Sequence, residues 1–197
     1  MTVTAVVLAG GLATRMGGEK PLLTLRGRTL LEHALALAVP LAQQVLVAGG
    51  RRDLPLPPGV ALVPDLPGMQ QRGPLSGILA GLSAASHDRV LCLSCDMPWL
   101  SPDLLACLLA ALDRHDCAYC TLPGSPGEPL PVALRREPAL ARVRESLRAG
   151  NNRVLPLWRE LKARVLAGPE LAAFGDPALL LRNLNTPQEL ASAEQAD

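Results

Sequence analysis

The chain has 197 residues, a net charge of +1 and 49% hydrophobic residues, among them only one Phe, one Tyr and two Trp. That length suits one domain, residues 1–197, whose core is built from Leu, Val, Ala and Ile. The near-neutral balance argues against a dedicated nucleic-acid surface, which calls for a basic face with interleaved aromatics.

Taken in chain order, the first predicted element is the apolar run Val3 to Leu8, as expected of a parallel strand buried on both faces. The residues before it lack a basic n-region, so no export signal is expected. A glycine loop follows, Leu8-Ala9-Gly10-Gly11 through Arg15 to Lys20. Its glycines allow sharp turns that bring several N–H groups to a ligand, and Arg15 and Lys20 add a planar fork and a flexible point charge. Placed directly after a buried strand, this suits a polyphosphate, although the spacing is neither a Walker A loop nor a dinucleotide fingerprint. An ordinary βα turn with two solvated cations is the plainer alternative.

From Thr29 to about Val39 apolar residues recur at helical spacing, and Thr29 with Glu32 predicts a capping box. Strands are predicted at Val45 to Ala48 and Val60 to Val63, the second followed by Asp65 in a loop. Gly73-Pro74 opens a helix running to about Ala84, whose orphan N–H groups and partial positive charge could hold an anion. Gly77 in its first turns suits close packing as well as binding.

Val90 to Leu93 is predicted as a fourth strand, with Asp96 just past its end. Ligands of such sheets sit outside the carboxyl ends of the strands, and magnesium–nucleotide sites use one or two carboxylates with phosphate oxygens and waters. Asp96 is therefore the candidate Mg2+ ligand. The alternative, a cap for the next helix, is better filled by Ser101-Pro102. Further strands are expected at Cys117 to Leu122, Leu130 to Leu134 and Ala163 to Leu166, with continuous helix up to about Leu161 between the last two. Thr186-Pro187-Gln188-Glu189 predicts a second capping box. Strands alternating with helices imply an α/β sheet covered on both faces.

Cys92-x-x-Cys95 and Cys117-x-x-Cys120 have the look of a zinc ribbon. Both pairs lie in strand-like runs, where residues three apart point oppositely. Buried thiols in a reducing, cytoplasmic setting are the expectation. No apolar run is long enough to span a membrane.

Leu8-Ala9-Gly10-Gly11 with Arg15-Met16-Gly17 and Lys20, Cys95-Asp96-Met97-Pro98, Gly73-Pro74-Leu75-Ser76-Gly77-Ile78 and Asn183-Leu184-Asn185-Thr186-Pro187 together resemble the molybdenum cofactor guanylyltransferases, the MobA family. The resemblance implies a Rossmann-like three-layer sandwich with a mostly parallel central sheet, of the nucleotide-diphospho-sugar transferase kind. It implies transfer of GMP from GTP to Mo-molybdopterin, with Asp96 as magnesium ligand and with Leu8, Ala9, Gly10, Gly11, Lys20 and Asp65 at the nucleotide. Arg15 and Lys20 would assist catalysis. Gly73, Pro74, Gly77, Asn183 and Asn185 would face the acceptor. Molybdenum-insertion and molybdoenzyme partners would surround the enzyme in the cell.

Two departures stand out. Ala48-Gly49-Gly50 replaces a segment where the family commonly has an asparagine, and Glu19 stands for an aspartate. Base recognition is therefore expected to lean on the backbone of Leu8, Ala9 and Gly10. A related cytidylyltransferase or sugar-phosphate nucleotidyltransferase is the alternative enzyme. A non-catalytic nucleotide- or zinc-binding module is the alternative from another class.

Overall fold

The computed structural model describes residues 2–10, 20–49, 53–68, 73–122, 124 and 129–195. Strand β1 (Val3–Leu8) is buried at all six positions. Alternate side chains of a strand point to opposite faces, so both faces of the sheet are covered here. A small hairpin, β2 (Thr24–Leu25) with β3 (Arg28–Thr29), leads into helix α1 (Leu30–Ala38). The hairpin has no counterpart in the sequence reading, because two-residue strands carry no periodicity. Thr29 closes the predicted capping box. Its hydroxyl accepts from the Glu32 N–H at 3.1 Å, and the Glu32 carboxylate accepts from the Thr29 N–H at 2.7 Å.

Strands β4 (Gln44–Ala48) and β5 (Val60–Val63), helix α2 (Pro74–Ala84) and strand β6 (Arg89–Ser94) follow. These four strands are parallel and lie in the order β5-β4-β1-β6. The chain therefore builds outward from β1 on one side and returns to build on the other. That reversal, between β1 and β6, is the topological switch point where open α/β sheets bind ligands. Leu8 and Ser94 are register partners at its mouth.

Beyond α3 (Pro102–Ala111), strands β7 (Cys117–Thr121), β8 (Val132–Arg135) and β9 (Ala163–Ala167) extend the sheet as β6-β8-β7-β9. β8 runs antiparallel to both its neighbours, whereas β7 and β9 are parallel. The link from β7 to β8, residues 122–131, is shorter than the crossover of about a dozen residues or more that a parallel pair needs. The sheet is mostly parallel, as expected, with this one reversed strand. The continuous helix expected up to Leu161 is instead two helices, α4 (Arg136–Arg148) and α5 (Val154–Glu160). Gly150 at φ 74° and an Asn151 carbonyl accepting from the Ser146 hydroxyl turn the chain between them.

Helix α2 lies unusually close to β1. A Cβ at Gly77 would stand 3.1 Å from Leu8 Cδ2, and one at Gly81 would stand 2.4 Å from Val6 Cγ1. Two glycines one turn apart thus let the helix backbone rest on the strand's side chains. Short helices α6 (Pro169–Ala172) and α7 (Pro177–Leu180) precede α8 (Pro187–Gln195). Leu184 and Ala193 from this last stretch join Leu25 and Leu30 in a second, smaller hydrophobic cluster, with Trp99 packed against it. Arg182 lies over the Trp99 ring at 5.3 Å.

The cysteines are core residues. Cys92, Cys95, Cys117 and Cys120 are buried free thiols. Burial pushes Cys92, Cys95 and Cys120 up to about 12, and raises Cys117 as well. No described helix is long and apolar enough to cross a membrane.

Candidate active site

The site grows from the carboxyl ends of β1 and β6. After Leu8, the Ala9 N–H donates to the Ala48 carbonyl at 3.1 Å, and the Leu8 carbonyl accepts from the Cys95 N–H at 3.2 Å. The segment leading to Gly10 is thus tied to β4 on one side and to the β6 exit on the other. Gly49, just past β4, has φ 73°, and a Cβ there would stand 3.1 Å from Gly10 Cα. Only glycine meets both conditions without strain.

Asp96 occupies the turn after β6, its side chain 14% exposed. Both carboxylate oxygens are engaged. Oδ2 accepts from Lys20 Nζ at 2.5 Å, and Oδ1 accepts from the Ser94 hydroxyl at 2.5 Å. Both are charge-assisted hydrogen bonds, one from an ammonium and one from a hydroxyl to the same carboxylate. Lys20, 15% exposed, donates also to Asn185 Oδ1 at 2.9 Å. The Asp96 carbonyl accepts from the Leu184 N–H at 2.9 Å. The C-terminal motif therefore closes on the ion pair through one backbone and one side-chain bond. Leu184 is wholly buried while Asn185 is exposed, so the motif anchors its leucine in the small cluster and turns Asn185 outward to Lys20.

Asp65 lies beyond β5. Its buried Oδ1, 3.7 Å from where a Gly49 Cβ would be, has no hydrogen-bond partner among the described residues. Burial alone raises its carboxyl above the ordinary value of 3.8. A buried orphan acceptor is costly, and a donor from a ligand at the Gly10 loop would relieve it. The folded-state value being raised, the penalty is absent below the unfolded value and grows as pH rises through the higher folded one. Asp65→Asn is therefore expected to flatten the loss of stability with rising pH above about 4. It should also weaken nucleotide binding about tenfold, through loss of a charged acceptor. Thermal melts from pH 3 to 8 and nucleotide titration check the two arms, and an unchanged melting profile with unchanged affinity would reject both.

Not every expected residue converges. Gly73 and Pro74 are exposed at the start of α2, with no side chain capping that end. Gly77 is buried within the packing, beside Leu8 and the Ala48 carbonyl. Asn183 is half-buried. Gly11 and Arg15 lie outside the described residues. The Ser94 contact escaped the sequence reading, because it forms across the turn after β6 rather than along a strand.

The chain has relatives among known proteins. The MobA-like NTP transferase domain model matches residues 5–164. A molybdenum cofactor guanylyltransferase of a Bradyrhizobium species is 37% identical, covering 98% of this chain and 94% of its own. One from Rhodobacter capsulatus is 32% identical, covering 98% and 96%. Among solved structures, molybdopterin-guanine dinucleotide biosynthesis protein A from Archaeoglobus fulgidus superposes with a TM-score of 0.78 at 22% identity, over 98% of this chain and 97% of that one. A 2-C-methyl-D-erythritol 4-phosphate cytidylyltransferase from Thermus thermophilus reaches 0.70 at 22% identity, over 96% of each chain. At those identities the two structures share the fold alone. The match through the domain model, together with near-full-length relatives above 30% identity, makes this chain a member of the MobA-like NTP transferase family of nucleotidyltransferases.

Proposed function

We propose that this enzyme transfers GMP from GTP to Mo-molybdopterin, forming a guanine dinucleotide cofactor and releasing pyrophosphate. The observation that supports the reading most is the Asp96 carboxylate in the turn after β6, one residue past the Cys95 N–H that donates to Leu8 of β1, and paired with the Lys20 ammonium. The guanine and the pterin come from the relatives, named molybdenum cofactor guanylyltransferases.

The donor set suits magnesium carried by a nucleotide. Among the described residues no group of three His, Cys, Asp or Glu gathers. A single carboxylate would share the ion with phosphate oxygens and waters, a common pattern for this metal. The Lys20 ammonium at Oδ2 shows that this edge of Asp96 accommodates positive charge. When bound, magnesium would screen the triphosphate and stabilise charge developing on the leaving group.

The protein's part is positioning and electrostatics. The acceptor phosphate would attack the α-phosphorus in line, so no nucleophilic side chain is needed. Lys20, 2.9 Å from Asn185 and 2.5 Å from Asp96, stands between the carboxylate and the acceptor-side motif and would lend its charge to the phosphates. Arg15 and the amides of the glycine loop would share that task. The backbone at Leu8, Ala9 and Gly10 would hold the base, with Asp65 accepting from the nucleotide. Asn183 and Asn185 would meet the pterin or its phosphate.

The test is a competition between GTP and CTP with Mo-molybdopterin as acceptor and Mg2+ present. Guanine dinucleotide product with GTP preferred by at least about 100-fold is expected, the scale on which one site hydrogen-bonds the right base and strands its groups on the wrong one. Preferential turnover of CTP would replace this reading with a cytidylyltransferase.

A further inference from the structure

We infer that Ser94 is a positioning residue for nucleotidyl transfer, fixing the rotation of the Asp96 carboxylate so that Oδ2 faces the metal and the phosphates. The inference rests on the reading of Asp96 as the magnesium ligand.

A carboxylate on an aspartate turns freely about its last torsion, which has broad wells rather than sharp staggered ones. Asp96 is held against that freedom on two sides. Its Oδ1 accepts from the Ser94 hydroxyl at 2.5 Å and its Oδ2 accepts from Lys20 at 2.5 Å. The two holds differ in kind. Lys20 is a long, flexible side chain shared with Asn185, and it is the group that the phosphates would draw toward themselves. Ser94 sits on the last residue of β6, in register with Leu8 of β1. Its Cα position is set by the central sheet, so its hydroxyl stays in place when Lys20 turns to a ligand.

With Oδ1 committed to that hydroxyl, Oδ2 is the oxygen left for a cation, as the ammonium there now shows. The backbone of the same residue is fixed too, through Leu184 donating to its carbonyl. What remains are the two side-chain torsions, which the Ser94 bond restrains together. Partners that orient a metal-binding side chain typically matter 10–100-fold in metal affinity or activity.

The test compares Ser94→Ala, Ser94→Thr and Asp96→Asn with the unmodified full chain. Mn2+ binding in the presence of GTP is read by electron paramagnetic resonance, and kcat and KM are read separately. For Ser94→Ala the expected result is Mn2+ affinity and kcat each reduced about 10–100-fold, with KM for GTP within about threefold and Tm close to the parent. Ser94→Thr, which keeps the hydroxyl on a strand-favouring side chain, should recover most of both losses. Unchanged Mn2+ affinity in Ser94→Ala would overturn the inference, and so would equal losses in the Ala and Thr variants. Asp96→Asn separates it from the reading beneath: parent-like Mn2+ binding there sinks the metal assignment itself, whereas loss of binding there beside a parent-like Ser94→Ala sinks only the role of Ser94.

Discussion

Asp96→Asn is expected to lower kcat for nucleotidyl transfer by at least 10²–10³-fold, on the scale of removing one group that stabilises transition-state charge. Asn keeps the shape of the side chain but discards the charge. The amide can still accept from one of Ser94 and Lys20, yet it offers no anionic oxygen to a divalent cation. The chain should still fold. The Lys20 side chain is only 15% exposed, so losing its counterion costs about 1–2 kcal/mol, less than for a fully buried pair because water reaches it. That corresponds to a fall in Tm of roughly 2–8 °C for a chain of this size. Steady-state turnover with GTP, paired with thermal melts, checks both numbers. Parent-like turnover in a folded Asp96→Asn protein would remove the carboxylate from the mechanism.

The second large effect is on stability. Gly81→Ala places a methyl 2.4 Å from Val6 Cγ1 and 2.9 Å from Cγ2. Val6 is wholly buried in the middle of β1, and a β-branched side chain on a strand has little rotamer freedom with which to yield. Helix α2 must therefore lift from the sheet. Overpacking of this kind costs about 1–3 kcal/mol or somewhat more, offset by about 0.5–1 kcal/mol for the better helix former. A net loss of about 2 kcal/mol lowers Tm by roughly 4–8 °C. Gly77, one turn earlier, packs so near Leu8 that a Cβ there would stand 3.1 Å from its Cδ2, so a lifted helix should disturb the end of β1 and lower turnover as well. A melting temperature equal to or above the parent's would show that the helix accommodates the methyl.

Much of this was legible in the residues. Val3 to Leu8 and Val90 to Leu93 announced buried strands because a doubly covered strand must be apolar at every position. The boxes at Thr29 and Thr186 announced helix starts because their side chains answer a fixed set of orphan N–H groups; at Thr186 the Glu189 N–H donates to the hydroxyl at 3.2 Å, as at Thr29. What stayed hidden depends on pairing across the sequence. The reversal of β8 follows from which strand it lies beside, a relation that periodicity within Val132–Arg135 does not record. The break after Arg148 is a different case: Gly150-Asn151-Asn152 marks it locally, but the apolar spacing on either side fits one continuous helix and outweighed that signal.

The candidate site was legible at the level of motifs and opaque at the level of contacts. Asp96 and Lys20 could each be singled out, but residues 76 positions apart give no sign that they form an ion pair. Asn185 was expected to face the acceptor, and its observed partner is Lys20. Asp65 was recognisable as a turn residue beside Pro64, while its buried oxygen, without a partner among the described residues, emerges only once Gly49 is brought near it.

The closure of the C-terminal motif on Asp96 bears on how the enzyme comes into being on the ribosome. Domains form from the N-terminus as synthesis proceeds, and β1, β4, β5 and β6 can assemble once residue 94 has emerged. The carbonyl of Asp96 and the ammonium of Lys20 must wait for Leu184 and Asn185, and the small cluster beneath them waits for Ala193. A nascent chain thus owns the parallel half of its sheet well before these last contacts can form, and competence for turnover arrives only with the last helix.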